Sequence, residues 1–302
     1  MKNYNLNFSN SIFFLMSIST FFILIYNILH YAPILGYDGE AHFSYVDYLS
    51  RYLPKEIKLP SQDETREFFN PPIGYLFPSF AQLVCRNIIE SNNLLADCQP
   101  VYGKATQIFQ SILYVITLCI NLFTLKLITK SKNIFNAEYL ILISLLAVNY
   151  RTISMIRGET YILFFLSLFL LVILKAENRN YDLGLKQIIY SGVIIACIAL
   201  SRQWGFLLFI PLIVLLIYKN AKLNYLKFWS KSASIGALLS SWFYVGLYQN
   251  YGSFTAFNME SKGFSLNNQN LSFYIPNFSQ LEFLFTKPIR PNLNNQFISI
   301  LY

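Results

Sequence analysis

Between Lys2 and Asp38 the chain carries no Asp, Glu, Lys or Arg, and Phe, Ile and Leu dominate the stretch. A helix needs roughly 20 such residues, at ~1.5 Å each, to cross the hydrocarbon core of a bilayer. The run reads as a first spanning helix at about residues 11–30. It is not a cleavable signal peptide, because Tyr26-Asn27-Ile28-Leu29-His30 offers no small-residue cleavage site. Similar runs follow at Ala105–Leu125 and at about residues 138–155, 159–174, 187–203, 204–218 and 232–249, giving seven candidate spans. Thr160–Leu174 and Gln187–Ser201 are short for a span when measured between charges. The expected fold class is therefore all-α, a polytopic transmembrane helix bundle, with residues 1–302 forming a single transmembrane domain.

Composition supports this. Of 302 residues, 55% are hydrophobic and 13% charged, against about 25% charged in an ordinary soluble domain. Aromatic residues reach 18%, as suits helices packed in lipid with rings at the interfaces. The formal charge of +8 has no soluble, aromatic-studded basic face to carry it, which excludes nucleic acid as a partner. Its distribution sets an orientation instead. One apolar stretch, Phe68–Cys85, contains Pro71, Pro72, Gly74 and Pro78, and three prolines favour a kinked or interfacial element over a span. If it does not cross and the amino terminus is cytoplasmic, the inner segments hold eleven basic residues against Glu138, Glu177 and Asp182. The outer segments then hold twelve of each sign. The whole net charge falls on one side, as the positive-inside rule prefers. The expectation is an integral protein of the plasma or inner membrane with two large outer segments, residues 31–104 and 250–302, the first carrying short interfacial helices. Of the four cysteines, Cys119 and Cys197 lie in apolar runs and read as core thiols, and Cys85 and Cys98 can pair outside the membrane.

The first outer segment holds the residues best suited to chemistry. Asp38 and Glu40 lie two apart just past the first helix, and in an extended turn both can face one cavity, with Gly39 allowing close approach by a ligand. A carboxylate there can act as general base towards a hydroxyl or ligate a divalent metal. His42 can orient a carboxylate, bind a phosphate oxygen or join a metal. The metal, if any, falls to Asp38, Glu40 or His42. Glu67 stands four residues before Pro71-Pro72, a pair that starts a short surface helix displaying Tyr75 and Phe77. Arg151, Arg157, Glu159 and Arg202 fall near the outer ends of later spans, on the side that carries Asp38. Charges at such depth are costly, and arginine is shaped for bidentate phosphate contact. The plainer account of each residue is a wet acidic boundary, an interfacial histidine, a first-turn acid or a snorkelling arginine.

Together these residues resemble a family. A single amino-terminal helix, an outer loop with an Asp/Glu pair and nearby His, and a Glu-x-x-x-Pro-Pro-x-x-Tyr element (Glu67 to Tyr75) resemble the GT-C superfamily of polytopic glycosyltransferases, closest to the protein mannosyltransferase and aminoarabinose-transferase type (glycosyltransferase family 39). Ser241-Trp242-Phe243-Tyr244 with Asn250-Tyr251-Gly252, and Lys287-Pro288-Ile289-Arg290-Pro291, are similar to later stretches of that family. The resemblance implies transfer of a sugar from a polyprenyl-phosphate donor to an acceptor hydroxyl on the non-cytoplasmic side, with inversion. It makes Asp38 the base or key acceptor contact, Glu40 its partner and Glu67 a second acid. It places His42, Tyr75, Arg151, Arg157, Glu159 and Arg202 around the substrate, and leaves a divalent cation possible. Two departures stand out. Gly39 separates acids that are usually adjacent, and the chain stops where relatives continue, so it reads as truncated. The rival expectations are a membrane transporter or lipid flippase, and a non-catalytic remnant of a transferase.

Overall fold

A computed structural model describes residues 2–34, 38–92, 97–129, 150, 152–179, 181, 184–208, 210, 213–214 and 223–256, with side chains from residue 10 onward except at 206 and 208. The chain divides into two compact units, Met1–Thr255 and Ala256–Tyr302; everything below concerns the first. Among the described residues there are seven α-helices, one 3-10 helix and no strand. The helices are α1 (Lys2–His30), α2 (Gly39–Tyr52), α3 (Ile73–Ser91), α4 (Gln99–Thr129), α5 (Glu159–Asn178), α6 (Leu185–Ser201) and α7 (Leu223–Tyr251).

Three of them are long and apolar enough to cross a membrane: Asn10–His30 of α1, all of α4 and all of α5, with mean hydropathies of 2.2, 2.0 and 2.0. α1 leaves Phe14, Leu15, Phe21, Phe22, Tyr26 and Leu29 exposed, a surface that water would not tolerate on this scale and lipid would. α5 runs on to Asn178, so the segment that looked short from its charges reaches 20 residues. α6 remains short at 17 residues. Of the expected span at residues 138–155, only the end is described, where the helix gives way to a turn at residue 154 and bends at residues 155–156. For that at 204–218, Gln203–Leu208 is a 3-10 helix and most of the remainder lies outside the described residues.

Packing explains the order of the helices. α5, α6 and α7 share a core of Ile162, Phe169, Ile173, Ile195, Ile198 and Trp229. Small residues one turn apart let α6 and α7 meet. A Cβ on Gly192 would lie 2.6 Å from Ile235, and one on Gly236 would lie 2.5 Å from Ile195. With Ser232 and Ser240 buried on the same face, this is small-residue packing of membrane type. α4 binds α1 and the segment before α5 through polar side chains. Lys104 donates to the carbonyls of Ile28 and Tyr31 at the end of α1, satisfying groups that a helix terminus leaves unpaired. Gln107 and Gln110 donate to Ser154 O and Met155 O, each at 2.8 Å.

α3 packs on both α2 and α4, and Phe43 of α2 meets Tyr102 of α4 with ring centroids 5.3 Å apart. α2 is amphipathic: Ala41, His42, Tyr45, Val46 and Leu49 face inward with helical spacing. The three prolines do not break α3. Pro71 and Pro72 precede it, where their missing N–H costs nothing, and Pro78 sits inside one continuous 19-residue helix. Tyr75 and Phe77, expected on display, are packed instead. Tyr75 is buried and stacks on Tyr45, with centroids 3.8 Å apart, and Phe77 stacks on Phe109 at 4.0 Å. Cys85 and Cys98 form a disulfide joining α3 to the start of α4. Cys119, expected in the core, is exposed on α4, whereas Cys197 is half-buried.

Candidate functional site

Asp38 and Glu40 do not share an extended turn. Helix α2 begins at Gly39, with Asp38 as its N-cap in the left-handed region at φ 62° and ψ 19°, which Asp tolerates better than most residues. Gly39 is required by the chain and not by a ligand, because a Cβ there would lie 2.0 Å from Ile34 O. Glu40 is exposed on the first turn of α2. Only Asp38 turns towards the interior, where it pairs with Arg66; its side chain is 14% exposed and that of Arg66 62%.

Glu67 is not a first-turn acid either. α3 starts at Ile73 with no acid in its first turn, and Glu67 sits earlier, in the turns that lead to Pro71. Those turns are pinned to α2. Thr65 Oγ1 donates to Ala41 O at 2.7 Å, Glu67 N–H donates to Thr65 Oγ1, and the Tyr45 hydroxyl donates to Asn70 O at 3.0 Å. The result is a buried chain of side chains. Asn70 Nδ2 donates to Glu67 Oε2 and also to the Tyr75 oxygen, while Asn70 Oδ1 accepts from Arg202 Nη1 at 2.5 Å. Arg202 Nη2 donates to Glu159 Oε1, also at 2.5 Å. Asn70 donates into the Tyr75 oxygen, and in the His42 tautomer protonated at Nε2 the phenolic proton goes to Nδ1, 2.6 Å away. That bond makes His42 an acceptor at Nδ1 and so a neutral imidazole.

Two glycine-dependent contacts bring these segments together. A Cβ on Gly74 would lie 2.8 Å from Gly158 Cα, and a Cβ on Gly158 would lie 2.1 Å from Ser201 O. The start of α3, the start of α5 and the end of α6 therefore touch backbone to backbone. Asn70, Arg157, Glu159 and Arg202 flank those points within a few residues. Gln203 adds a clasp, donating to Phe69 O at 2.6 Å and to Thr255 O at 2.7 Å.

The electrostatics follow from burial. Burial lifts the Asp38 carboxyl above its usual 3.8, against the pull of Arg66 and Arg157. Glu67, 9% exposed, is lifted above 4.5 by burial and by the Asp38 charge, while Arg202, the Asn70 hydrogen bond and Arg157 oppose. His42, 3% exposed, is held well below 6.5 by burial and then by Arg202, Arg157 and Arg66. Two buried atoms, Arg202 Nε and Glu159 Oε2, have no hydrogen-bond partner among the described residues, which is where an anionic or hydroxylic ligand would find unused capacity.

Of the residues proposed from sequence, Asp38, His42, Glu67, Tyr75, Arg157, Glu159 and Arg202 meet in this cluster, Glu40 faces outward and Arg151 lies outside the described residues. Sequence reasoning missed Arg66, Thr65, Tyr45, Gln203 and above all Asn70, whose sole signal was its place before Pro-Pro. No cluster of three or more His, Cys, Asp or Glu side chains suited to a metal occurs among the described residues. The three residues nominated for one are otherwise placed: Asp38 is on Arg66, His42 Nδ1 is on Tyr75, and Glu40 is exposed. They do not fit a metal centre. An open groove of about 570 Å³ lies elsewhere, along Asn10, Ser11, Phe14, Leu15 and Ile18 of α1. No family model, curated protein or solved structure matches the chain. The likeness to the GT-C superfamily rests on the short motifs alone.

Proposed function

We propose that this chain is a membrane glycosyltransferase that moves a sugar from a polyprenyl-phosphate carrier to an acceptor hydroxyl on the non-cytoplasmic side. The observation that carries the reading is the convergence of Asp38 and Glu67 with Arg66, Arg157 and Arg202 at the ends of α2, α3, α5 and α6. Carboxylates and guanidinium groups in one place at a membrane boundary suit a reaction with a hydroxyl proton to remove and a phosphate to release. The acceptor oxygen attacks the anomeric carbon, the carbon–oxygen bond to the carrier phosphate breaks, and its electron pair leaves with the phosphate. Asp38 takes the hydroxyl proton. Burial makes it more basic than an ordinary carboxylate, which favours that role. Its ion pair with exposed Arg66 is worth less than about 1 kcal/mol, so the base is easily uncovered. Arg202 and Arg157 stabilise the charge gathering on the leaving phosphate.

The side of the membrane is supported by two independent features. Across the seven spans expected from sequence the net charge segregates as the positive-inside rule prefers, and a disulfide between Cys85 and Cys98 belongs to an oxidising compartment.

The test is Asp38→Asn, which keeps the left-handed backbone position accessible. Release of carrier phosphate from a panel of labelled polyprenyl-phosphate sugars should fall about 10²–10⁴-fold, with membrane insertion unchanged. Transfer at the wild-type rate would remove Asp38 from the chemistry. Absence of transfer by the wild type with every donor would favour a non-catalytic role.

A further inference from the structure

The cluster is electrically balanced before any ligand arrives. Asp38, Glu67 and Glu159 face Arg66, Arg157 and Arg202, and His42 is neutral. Two of the acids have their own cation: Asp38 pairs with Arg66 and Glu159 with Arg202. Glu67 differs. Among the described residues it has no ion-pair partner, and the neutral amide of Asn70 stands between it and Arg202. A buried carboxylate held by an amide has the weakest claim on its negative charge of the three.

A phosphate brings a further negative charge into this balanced site. Its natural seat is Arg202, whose Nε has no partner among the described residues, and whose charge already acts on Glu67 through Asn70. The other charges acting on Glu67 are Asp38 at the head of α2 and Arg157 before α5. Tyr75 of α3 is its titratable neighbour, with His42 of α2 behind it. Asp38 already has a counter-ion in Arg66, so Glu67 is the acid more easily neutralised. The arginines are already cationic, and a proton on His42 would have to displace the Tyr75 bond among three guanidinium groups. We propose that the phosphate group of a lipid-borne ligand enters this cluster together with one proton taken from solvent, and that Glu67 is the residue that holds it. The inference rests on the transferase reading, and gives it a consequence: donor binding is tighter at acidic pH.

A phosphodiester probe isolates the effect, because its single charge does not itself titrate. Geranylgeranyl methyl phosphate is titrated into the full chain in nanodiscs from about pH 5 to about pH 9, where linkage to one proton weakens binding up to about tenfold per pH unit above the Glu67 transition. Calorimetry in two buffers of different ionisation enthalpy should record uptake of about one proton per probe bound, a measurement that needs only the wild type. In Glu67→Gln the slope should vanish, and affinity at high pH should rise to the wild-type value at low pH. Binding that is independent of pH and takes up no proton overturns the inference and leaves the transferase reading intact. Failure to bind at any pH overturns both. Dimethyl phosphate is the control for source: equal affinity for it would replace the lipid carrier by a soluble phosphate, while weaker binding assigns the site to a lipid-borne one.

Discussion

His42 shows how one side chain can carry a pH dependence. Its neutral ring accepts the Tyr75 proton, and burial with three nearby guanidinium groups keeps its folded value well below 6.5. What it contributes to stability is therefore complete above 6.5 and is lost as pH falls from there towards the folded value. Asp38 and Glu67 have the opposite sign. Their folded values lie above 3.8 and 4.5, so their contribution is complete below those ordinary values and is lost as pH rises through the folded ones. Substituting His42 separates the two. Between about pH 6.5 and about pH 5, stability in detergent should drop relative to that of His42→Gln by up to about 1.4 kcal/mol per pH unit. Identical slopes for the two proteins would show that His42 is not the group responsible. Asn70 carries the equivalent lesson for sequence reading. Its type and spacing announce nothing, because an amide becomes informative only once a carboxylate and a guanidinium are found on its two ends.

At the scale of elements, the site exists because helix ends approach within backbone contact. The close approaches at Gly74, Gly158 and Ser201 leave no room for a side chain. Gly158→Ala would drive a Cβ to 2.1 Å from a carbonyl oxygen that cannot swing away, and overpacking of this kind costs about 1–3 kcal/mol. The contrasting position is Gly246 in α7, where nothing lies within 4 Å of a built Cβ. Gly246→Ala should stabilise the helix by up to about 1 kcal/mol. Thermal denaturation of the two variants should move in opposite directions, and a neutral Gly158→Ala would mean the three helix ends do not meet as described. The amphipathic helix α2 was not foreseen, since the acids at its head drew attention to a turn. Its inward positions from Ala41 to Leu49 were legible in the period of the apolar residues. Pro78 does not end α3, because the helix is held by packing on α2 and α4 and not by every backbone bond, and α3 is not among the helices apolar enough to span.

At the scale of the molecule, orientation is the open quantity, and cysteine chemistry reads it. In the denatured, unreduced chain, Cys119 and Cys197 should label with maleimide while Cys85 and Cys98 label only after reduction. Single cysteines placed at exposed Lys55 and at exposed Thr129 should then react with an impermeant reagent from opposite faces of the membrane, Lys55→Cys from outside. Reaction of both from one face would overturn the proposed topology. Loss of the disulfide, which closes a loop with a sequence separation of 13, should lower stability by about 3 kcal/mol in the chain-entropy account, seen as a lower thermal midpoint in the Cys85→Ser variant.

Read alone, the order of residues determines that this chain is helical and meant for lipid. Uncharged apolar runs at Asn10–His30, along α4 and along α5 carry that information locally, since each residue adds its own transfer free energy whatever the fold. The positions of Asp38, Glu67, Arg157 and Arg202 were also visible as charges at apolar boundaries. Tertiary structure alone decided which of them meet. Glu40 ends up exposed on the first turn of α2, Asn70 bridges Glu67 to Arg202, and two backbone contacts draw helix ends at residues 74, 158 and 201 together. These are relations between groups far apart in the chain. They depend on where the backbone is driven by packing, and no local pattern encodes them.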